Sequence, residues 1–309
     1  MRILFATDGS SGSDIALDLL RSLRLRAEDQ VEVLTVISSH YAGLGIEAGP
    51  ALAAEAAEQE EADAREIAEA AAARLAASGT KAAARTAEGP AAEAIIAAAA
   101  TTASDLIVIG SRGRGLLAGA LLGSTARALA RHSPVAVLIV RDRREAPRRI
   151  LIAIDGSADS SAALAALAAI PLPRGAEVVL LHVVPRRVLG SAKKPLDHEL
   201  MAGVERQDRV RALELLRRAA GELPPHVSMR VEVEQGTVAD RVLAVASGLG
   251  IDLIVLGSRG TSLGAGFLQG STADRVLSGA HCAVLVARAA ERVKAEQPAR
   301  AALVAAAAV

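Results

Sequence analysis

Two short segments rich in glycine, serine and threonine carry the residue types that bind phosphate groups. The first reads Gly110-Ser111-Arg112-Gly113 and, after nine intervening residues, Gly123-Ser124-Thr125. Glycine lets backbone N–H groups approach phosphate oxygens closely, and a Ser-Thr pair that opens a helix adds hydroxyl donors to the unpaired amides of the helix N-terminus. The Arg112 guanidinium can add charge-assisted hydrogen bonds to the same anion. This segment is therefore predicted to hold a phosphorylated ligand.

The same pattern occurs a second time along the chain. Gly257-Ser258-Arg259-Gly260 is followed by Gly270-Ser271-Thr272, and each residue lies 147 positions after its counterpart. The same offset relates Asp8-Gly9-Ser10 to Asp155-Gly156-Ser157. An unchanged offset is expected for the tandem duplication of one complete domain. We predict domains over residues 1–141 and 148–288, a charged linker at 142–147 and an alanine-rich tail at 289–309.

The composition narrows the class of protein. The 309 residues are 51% hydrophobic but only 1% aromatic, which predicts globular domains with aliphatic, alanine-rich cores. Basic and acidic residues both number 35, so the chain has no net positive charge that would attract nucleic acid or an anionic membrane. The single cysteine forms no internal disulfide. Because we find neither a signal peptide nor the roughly 20 apolar residues of a membrane helix, we expect a soluble cytoplasmic protein.

Short apolar runs alternate with helical segments in both copies. Four of these runs lack polar alternation, as is typical of parallel strands covered on both faces: 2–7, 105–109, 149–154 and 252–256. Over 227–234, in contrast, apolar and polar residues alternate, which places this third strand at a sheet edge with one wet face. The predicted fold class is α/β, with two tandem doubly wound domains. Each is a five-stranded parallel sheet of order 3-2-1-4-5 with helices on both faces.

This strand order also predicts where a ligand binds. In an open α/β sheet, ligands bind beyond the carboxyl ends of the strands at the point where the order reverses, here between strands one and four. Asp8-Gly9-Ser10 follows the first strand and the Gly110 loop follows the fourth, and the second copy repeats both. The strand order and the motifs therefore indicate the same crevice in each domain.

The twin loops match Gly-x2-Gly-x9-Gly-Ser/Thr, the ATP-binding pattern of the universal stress protein family. The chain resembles that family over nearly the whole of both copies, including the strand-one Asp and the segments LTV at 34–36 and LHV at 181–183. The resemblance implies a tandem member of the ATP-binding subgroup, with a Rossmann-like fold. It also implies that Asp8 and Asp155 lie beside the adenine and ribose of ATP.

The same resemblance implies roles for the remaining residues of the predicted site. The backbones of Val36 and Val183 would meet the adenine edge, and Gly110 and Gly257 would flank the ribose. The phosphates would be held by Gly113, Gly123, Ser124, Thr125, Gly260, Gly270, Ser271 and Thr272. The predicted ATP-binding set also contains Arg112, Arg259 and four strand-end residues, Ala6, Ile109, Ala153 and Leu256. No catalytic or metal-ligating side chain is assigned, and Mg or Mn is expected only as a bridge between phosphates.

Several other interpretations of these residues compete. Glycine loops can be simple turns, and Asp8 can cap the following helix as readily as it can contact a ligand. Gly113-x-Gly115-x-x-Ala118 has the spacing of a dinucleotide fingerprint, but it follows the fourth strand and the second copy loses the spacing. A Walker A loop with its lysine is absent, so rapid ATP hydrolysis is not expected.

Three functions remain open from the sequence. The leading hypothesis is a nucleotide-responsive regulator in the stress response, which binds one ATP per domain and a protein partner that the sequence does not identify. The alternatives are a slow ATPase or adenylyl-transferring enzyme that uses the same crevice, and a scaffold in which the nucleotide is structural. The enzyme alternative requires a general base or an attacking group, and the sequence offers no convincing candidate.

The fifth strands give a first testable prediction. The segments PVAVLIV at 134–140 and CAVLVA at 282–287 carry no charged or alternating protection, although the order 3-2-1-4-5 places them at sheet edges. We expect fifth strands to pair across a domain or subunit interface, because an apolar edge requires a partner. NMR relaxation should then show both domains tumbling as one body. A monodisperse monomer whose domains tumble independently would contradict this prediction.

Overall fold

The computed structural model describes residues 1–38, 50–113, 122–142, 144–185, 198–259 and 271–289. The chain forms two compact units, one consisting mainly of Met1–Ala146 and the other mainly of Pro147–Ala280. Strands and helices alternate in both units, as the apolar runs of the sequence predict. Among the described residues, no helix combines the length and the apolar character needed to cross a membrane.

The described residues of the first unit form five strands in the order β3-β2-β1-β4-β5, and the four pairings between them are parallel. This confirms the predicted order 3-2-1-4-5. The elements along the chain are β1 (Arg2–Ala6), α1 (Ser11–Ser22), β2 (Gln30–Ile37), α2 (Pro50–Ala76), β3 (Lys81–Glu88), α3 (Ala91–Thr101), β4 (Leu106–Gly110), α4 (Ser124–His132) and β5 (Ala136–Val140).

The second unit repeats this arrangement with the order β8-β7-β6-β9-β10. Strand β6 pairs in parallel with β7 and β9, and β7 pairs in parallel with β8. The elements are β6 (Arg149–Ala153), α5 (Ala158–Ala169), β7 (Glu177–Val184), α6 (His198–Ala220), β8 (Ser228–Gln235), α7 (Val238–Gly248), β9 (Leu253–Gly257), α8 (Ser271–Gly279) and β10 (Ala283–Ala287).

The cores consist of aliphatic side chains and alanine, as the composition predicts. Ile3, Leu4 and Phe5 of β1 are at most 1% exposed, which shows that this strand is covered on both faces. Helix α2 packs against β2 and β3. The buried residues of α2 recur at helical spacing and are nearly all alanine: Ala64, Ala68, Ala71, Ala72 and Leu75. Small side chains let the helix lie close to the sheet without aromatic filling.

The third strand of the second unit, β8, lies at the sheet edge, as predicted, but its apolar face is only partly covered. Met229 is 43% exposed and Val231 is 37% exposed. Helix α6 packs on β7 and β8, yet only the C-terminal part of its apolar stripe is buried, since Leu216 is 0% exposed and Val210 is 50% exposed. Alternation therefore identifies the edge strand correctly and overestimates how much of its apolar face is buried.

This partial cover gives a stability prediction. We expect Met229→Ala to change the free energy of unfolding by less than about 1 kcal/mol, because the side chain already contacts water. Leu180→Ala on the neighbouring strand should cost about 2–5 kcal/mol, since Leu180 is fully buried. Urea unfolding of the two variants beside the unmodified chain measures the difference. Equal losses would show that Met229 is covered in solution.

Candidate functional site

The loop after β1 is held by a serine cap and an aspartate turn. Gly9 has φ of +70°, a left-handed conformation that favours glycine, and it turns the chain from the strand into α1. Ser10 is the N-cap, and its Oγ accepts a hydrogen bond from the Ser13 amide at 3.3 Å. The Asp8 Oδ1 atom accepts from the Ser10 amide at 3.0 Å. Of the two roles considered for Asp8, capping of the helix is excluded, because Ser10 occupies the N-cap position.

Gly110, at the end of β4, is required by the packing of α1. A Cβ atom at Gly110 would lie 2.6 Å from the carbonyl carbon and oxygen of Gly12 and 2.9 Å from the Ser13 amide nitrogen. Real Cβ atoms essentially never approach backbone so closely, so any side chain here would push the helix away. The first glycine of the motif thus lets the start of α1 lie directly against the end of strand four.

This close approach brings the loops after strands one and four together. The Ser10 Oγ donates to the carbonyl oxygen of Arg112 at 3.4 Å. A Cβ atom at Gly113 would lie 2.5 Å from the Asp8 Oδ2, so the glycine leaves the space beside this carboxylate. The structure thus brings Asp8, Gly110, Arg112 and Gly113 together in the crevice that the strand order indicates.

The glycine loop ends at the N-terminus of α4, which differs from α1 in its capping. The Gly123 amide donates to the Ser111 carbonyl at 2.8 Å, which returns the chain to the end of β4. Gly123 is the N-cap and has no side chain to cap the first turn, whereas Ser10 caps α1. Ser124 is exposed and Thr125 is half-buried in that turn. Uncapped amides and hydroxyl groups at a helix N-terminus form a site suited to an anion.

The second domain repeats this geometry at the described positions. The Ser157 amide donates to the Asp155 Oδ1 at 3.0 Å, Ser157 caps α5, and its Oγ donates to the Arg259 carbonyl at 3.4 Å. A Cβ atom at Gly257 would lie 2.7 Å from the backbone carbon of Asp159. Ser271 and Thr272 open α8. Gly260 and Gly270 lie outside the described residues.

The remaining predicted residues lie at the ends of the central strands. Ala6, Ile109 and Leu256 are buried, and Ala153 is half-buried. Val36 is half-buried near the end of β2, two residues beyond Leu34, whose carbonyl accepts from the Thr7 amide after β1. Val183 is 7% exposed and has the same position two residues beyond Leu181, which accepts from the Ile154 amide. Each valine therefore flanks the loop that carries the aspartate.

Two arginines lie near the start of the first glycine loop. The Arg112 Nη2 lies 3.5 Å from the Asp142 Oδ1, and both side chains are more than half exposed. Burial lowers the pKa of Arg141, the residue after β5, against smaller opposing effects of Cys282 and Asp142, and the neighbouring Arg112 lowers it slightly further. Guanidinium groups stay charged at neutral pH despite such shifts. Two guanidinium groups thus lie near the loop, Arg112 paired with Asp142 and Arg141 buried.

Three side chains that shape the two loops are not among the predicted site residues. Ser10 and Ser157 tie the strand-one loops to the glycine loops, and their occurrence in both copies was a signal that could have identified them. Asp159 is 0% exposed, and its Oδ2 accepts from the Ser258 Oγ at 2.8 Å and from the Arg259 amide at 3.1 Å. Its counterpart in the first copy is Gly12, so the repeat gave no signal for Asp159.

No group of three or more His, Cys, Asp or Glu side chains in the described part of the chain could hold a metal ion.

Comparison with known proteins establishes the family. The model of the universal stress protein family matches residues 1–141 and again residues 147–288. The chain belongs to the universal stress protein family. Two tandem domains of this family account for the repeated sheet, the repeated glycine loop and the constant offset between the copies.

The most similar curated relatives include two mycobacterial proteins. Universal stress protein Rv2005c of Mycobacterium tuberculosis is 32% identical over 196 residues, which cover 60% of this chain and 62% of the relative. Universal stress protein Rv1996 of the same organism is 33% identical over 193 residues, which cover 59% of this chain and 58% of the relative. The matched region thus spans about three fifths of these relatives.

A solved structure supports the fold over almost the full length. A universal stress protein from Archaeoglobus fulgidus is similar with a TM-score of 0.62 and 24% identity, covering 93% of this chain and 96% of that protein. This similarity extends the agreement in fold to both domains.

The close approach of α1 to β4 gives a prediction for the first glycine of each loop. We expect Gly110→Ala and Gly257→Ala each to reduce the free energy of unfolding by about 1–3 kcal/mol, because the new Cβ atom meets backbone. Gly248→Ala is a matched control, since nothing lies within 4 Å of its Cβ position. Thermal unfolding of the three variants measures the effect. If Gly110→Ala were as stable as the control, the close contact would not exist in solution.

Proposed function

We propose that each domain binds one ATP in the crevice between its first and fourth strands, and that the protein acts as a nucleotide-responsive regulator. The observation that supports this most directly is the paired arrangement of a carboxylate loop and a glycine loop. Ser10 and Ser157 tie the two loops together at the same distance of 3.4 Å in both domains.

Different parts of the crevice suit different parts of ATP. The Asp8 carboxylate lies at the strand-one end, where a ribose hydroxyl group can donate to it. At the other end, the uncapped N-terminus of α4, with Ser124 and Thr125, suits the phosphates. Val36, half-buried beside the Asp8 loop, offers backbone groups to the adenine edge. A bridging Mg or Mn would complete the phosphate site, with phosphate oxygens as ligands.

The contrast between the two helix N-termini supports placing the phosphates at α4. Helix α1 is capped by Ser10 and has Asp14 in its first turn, which disfavours an additional anion. Helix α4 has a glycine N-cap and no acidic residue in its first turn. An anion that enters the crevice is therefore attracted to the glycine loop and not to the loop after strand one.

Asp8 and Asp155 give a matched test of ATP binding. We expect the unmodified chain to release ATP on denaturation and to bind about two ATP per chain after the nucleotide is removed. Asp8→Ala and Asp155→Ala should each remove one site, because each carboxylate belongs to one crevice. Isothermal titration calorimetry gives the stoichiometry, and circular dichroism checks that both variants fold.

The outcome also separates the regulator from the alternatives. Absence of bound ATP, together with no ATP-dependent rise in Tm, would refute the binding proposal. Two sites that remain in Asp8→Ala would refute the assignment of this residue. Phosphate release measured over hours distinguishes a binding protein from a slow ATPase, because only the ATPase accumulates product beyond one equivalent per site.

A further inference from the structure

The two glycine loops have the same motif but unequal charge around them. At three aligned positions near the loops, the charge of the side chain differs between the copies. Gly12 aligns with Asp159, Arg127 with Asp274, and Asp142 with Ala289. Two arginines are retained, Arg112 as Arg259 and Arg141 as Arg288. Over these five positions the formal charge is +2 in the first domain and zero in the second, and inclusion of Asp14, whose counterpart is Ser161, leaves a difference of one charge.

The first exchange places a buried carboxylate under the second loop. Asp159, in the first turn of α5, is 0% exposed and accepts hydrogen bonds from the Ser258 hydroxyl, the Arg259 amide and the Ala289 amide at 2.8, 3.1 and 3.0 Å. The Arg259 amide therefore already has an anionic acceptor. Any phosphate bound to this loop would lie close to a carboxylate that water does not screen.

In the first domain, the carboxylate near the loop lies in a different environment. Position 12 is glycine, so no side chain there can accept from the Arg112 amide. The nearby acid is Asp142, which is 70% exposed and pairs with the Arg112 guanidinium at 3.5 Å. Water and salt screen such an exposed pair, so it opposes a bound phosphate far less than Asp159 does.

The second exchange lies on the helix that receives the phosphates. Arg127 is in the first turn of α4, whereas Asp274 is in the first turn of α8. Both side chains are half-buried. The partial positive charge of a helix N-terminus attracts a phosphate. An acid at this position offsets that charge, whereas an arginine adds to it.

Two effects of Asp159 act in opposite directions on binding. Its hydrogen bonds hold the second loop in place, which lowers the ordering cost of binding. Both loops are already anchored, however, since the Ser111 and Ser258 amides donate to Val140 and Ala287 at 2.6 and 2.8 Å. The extra order is small, while the charge acts on every phosphate group of the ligand. The charge difference therefore dominates.

We propose that the two sites are unequal: the first domain binds ATP tightly, and Asp159 and Asp274 make the second domain a weaker site that discriminates against phosphate charge. This inference rests on the proposed function. It predicts a dependence on phosphate number, because the charge difference acts on the phosphates and not on adenosine. The ATP affinity of the first site should exceed that of the second on the order of tenfold.

Single-site chains test the inequality directly. Asp155→Ala leaves the first site and Asp8→Ala leaves the second, and calorimetry with ATP, ADP, AMP and adenosine gives the ratio of their affinities. We expect the ratio to fall as phosphates are removed and to reach its minimum with adenosine. Equal affinities for ATP, or a ratio unchanged between ATP and adenosine, would overturn the inference.

Reciprocal substitutions assign the effect to the named residues. In the second-site chain, Asp274→Arg should raise ATP affinity several-fold, and in the first-site chain, Arg127→Asp should lower it several-fold. The double variant Asp159→Gly, Ala289→Asp restores the first domain's residues at both positions with no change in net charge, and should also strengthen ATP binding at the second site. Adenosine affinity should stay within about twofold throughout, because no phosphate is present to sense the charge.

The variants also separate the inference from the proposed function. If neither single-site chain binds ATP, the proposed function fails. If both bind ATP and the substitutions at 127 and 274 leave the affinities unchanged, the proposed function stands and the inference is wrong. These two helix-surface variants keep the test decisive if the double variant at the buried Asp159 proves unstable, which its Tm would reveal.

Discussion

The contact of a helix backbone with a strand end determines the geometry of both sites. A Cβ atom at Gly110 or Gly257 would lie 2.6 or 2.7 Å from backbone atoms of the first helix of its domain. Only glycine permits this approach, and the approach brings the serine N-cap within reach of the fourth-strand loop. A motif associated with nucleotide binding thus has a packing role at its first glycine, before any ligand is considered. The aspartate, the arginine and the second glycine have their positions because of that contact.

The sheet order and the position of the crevice could be predicted because they follow from patterns that tertiary contacts rarely override. Buried parallel strands are continuously apolar, whereas an edge strand alternates between apolar and polar residues. Because the two copies are related by a constant offset, each copy gives the same prediction independently. The role of Asp8 could not be predicted, because aspartate and serine are both good N-caps and lie two residues apart. The left-handed turn at Gly9 decides between them, since it places Ser10 at the helix start and leaves Asp8 to accept the Ser10 amide.

Burial of single side chains was predicted less well, and the reason is geometric. Alternation shows which face of β8 is apolar, but the cover on that face depends on the path of α6, which sequence periodicity does not encode. Asp159 is a stronger case. Comparison of the two copies emphasises residues that both retain. The replacement of Gly12 by an acid in the second copy is therefore easily overlooked. Only the fold shows that this acid accepts three hydrogen bonds below the second loop.

In a duplicated domain of this kind, residues that are fixed by packing can be distinguished from residues that are able to change. Backbone packing at the first glycine tolerates almost no substitution, because it depends on atoms at the limit of close approach. The charge around the loop is supplied by side-chain groups from the first helix, the fourth helix and the segment after the fifth strand, and at position 159 the carboxylate is added to a residue whose backbone keeps the packing contact that Gly12 makes in the first domain. Affinity for an anion can therefore diverge between the copies through a few substitutions while the fold and the motif remain identical. Identical motifs in tandem domains are, for this reason, weak evidence that the two domains bind their ligand equally.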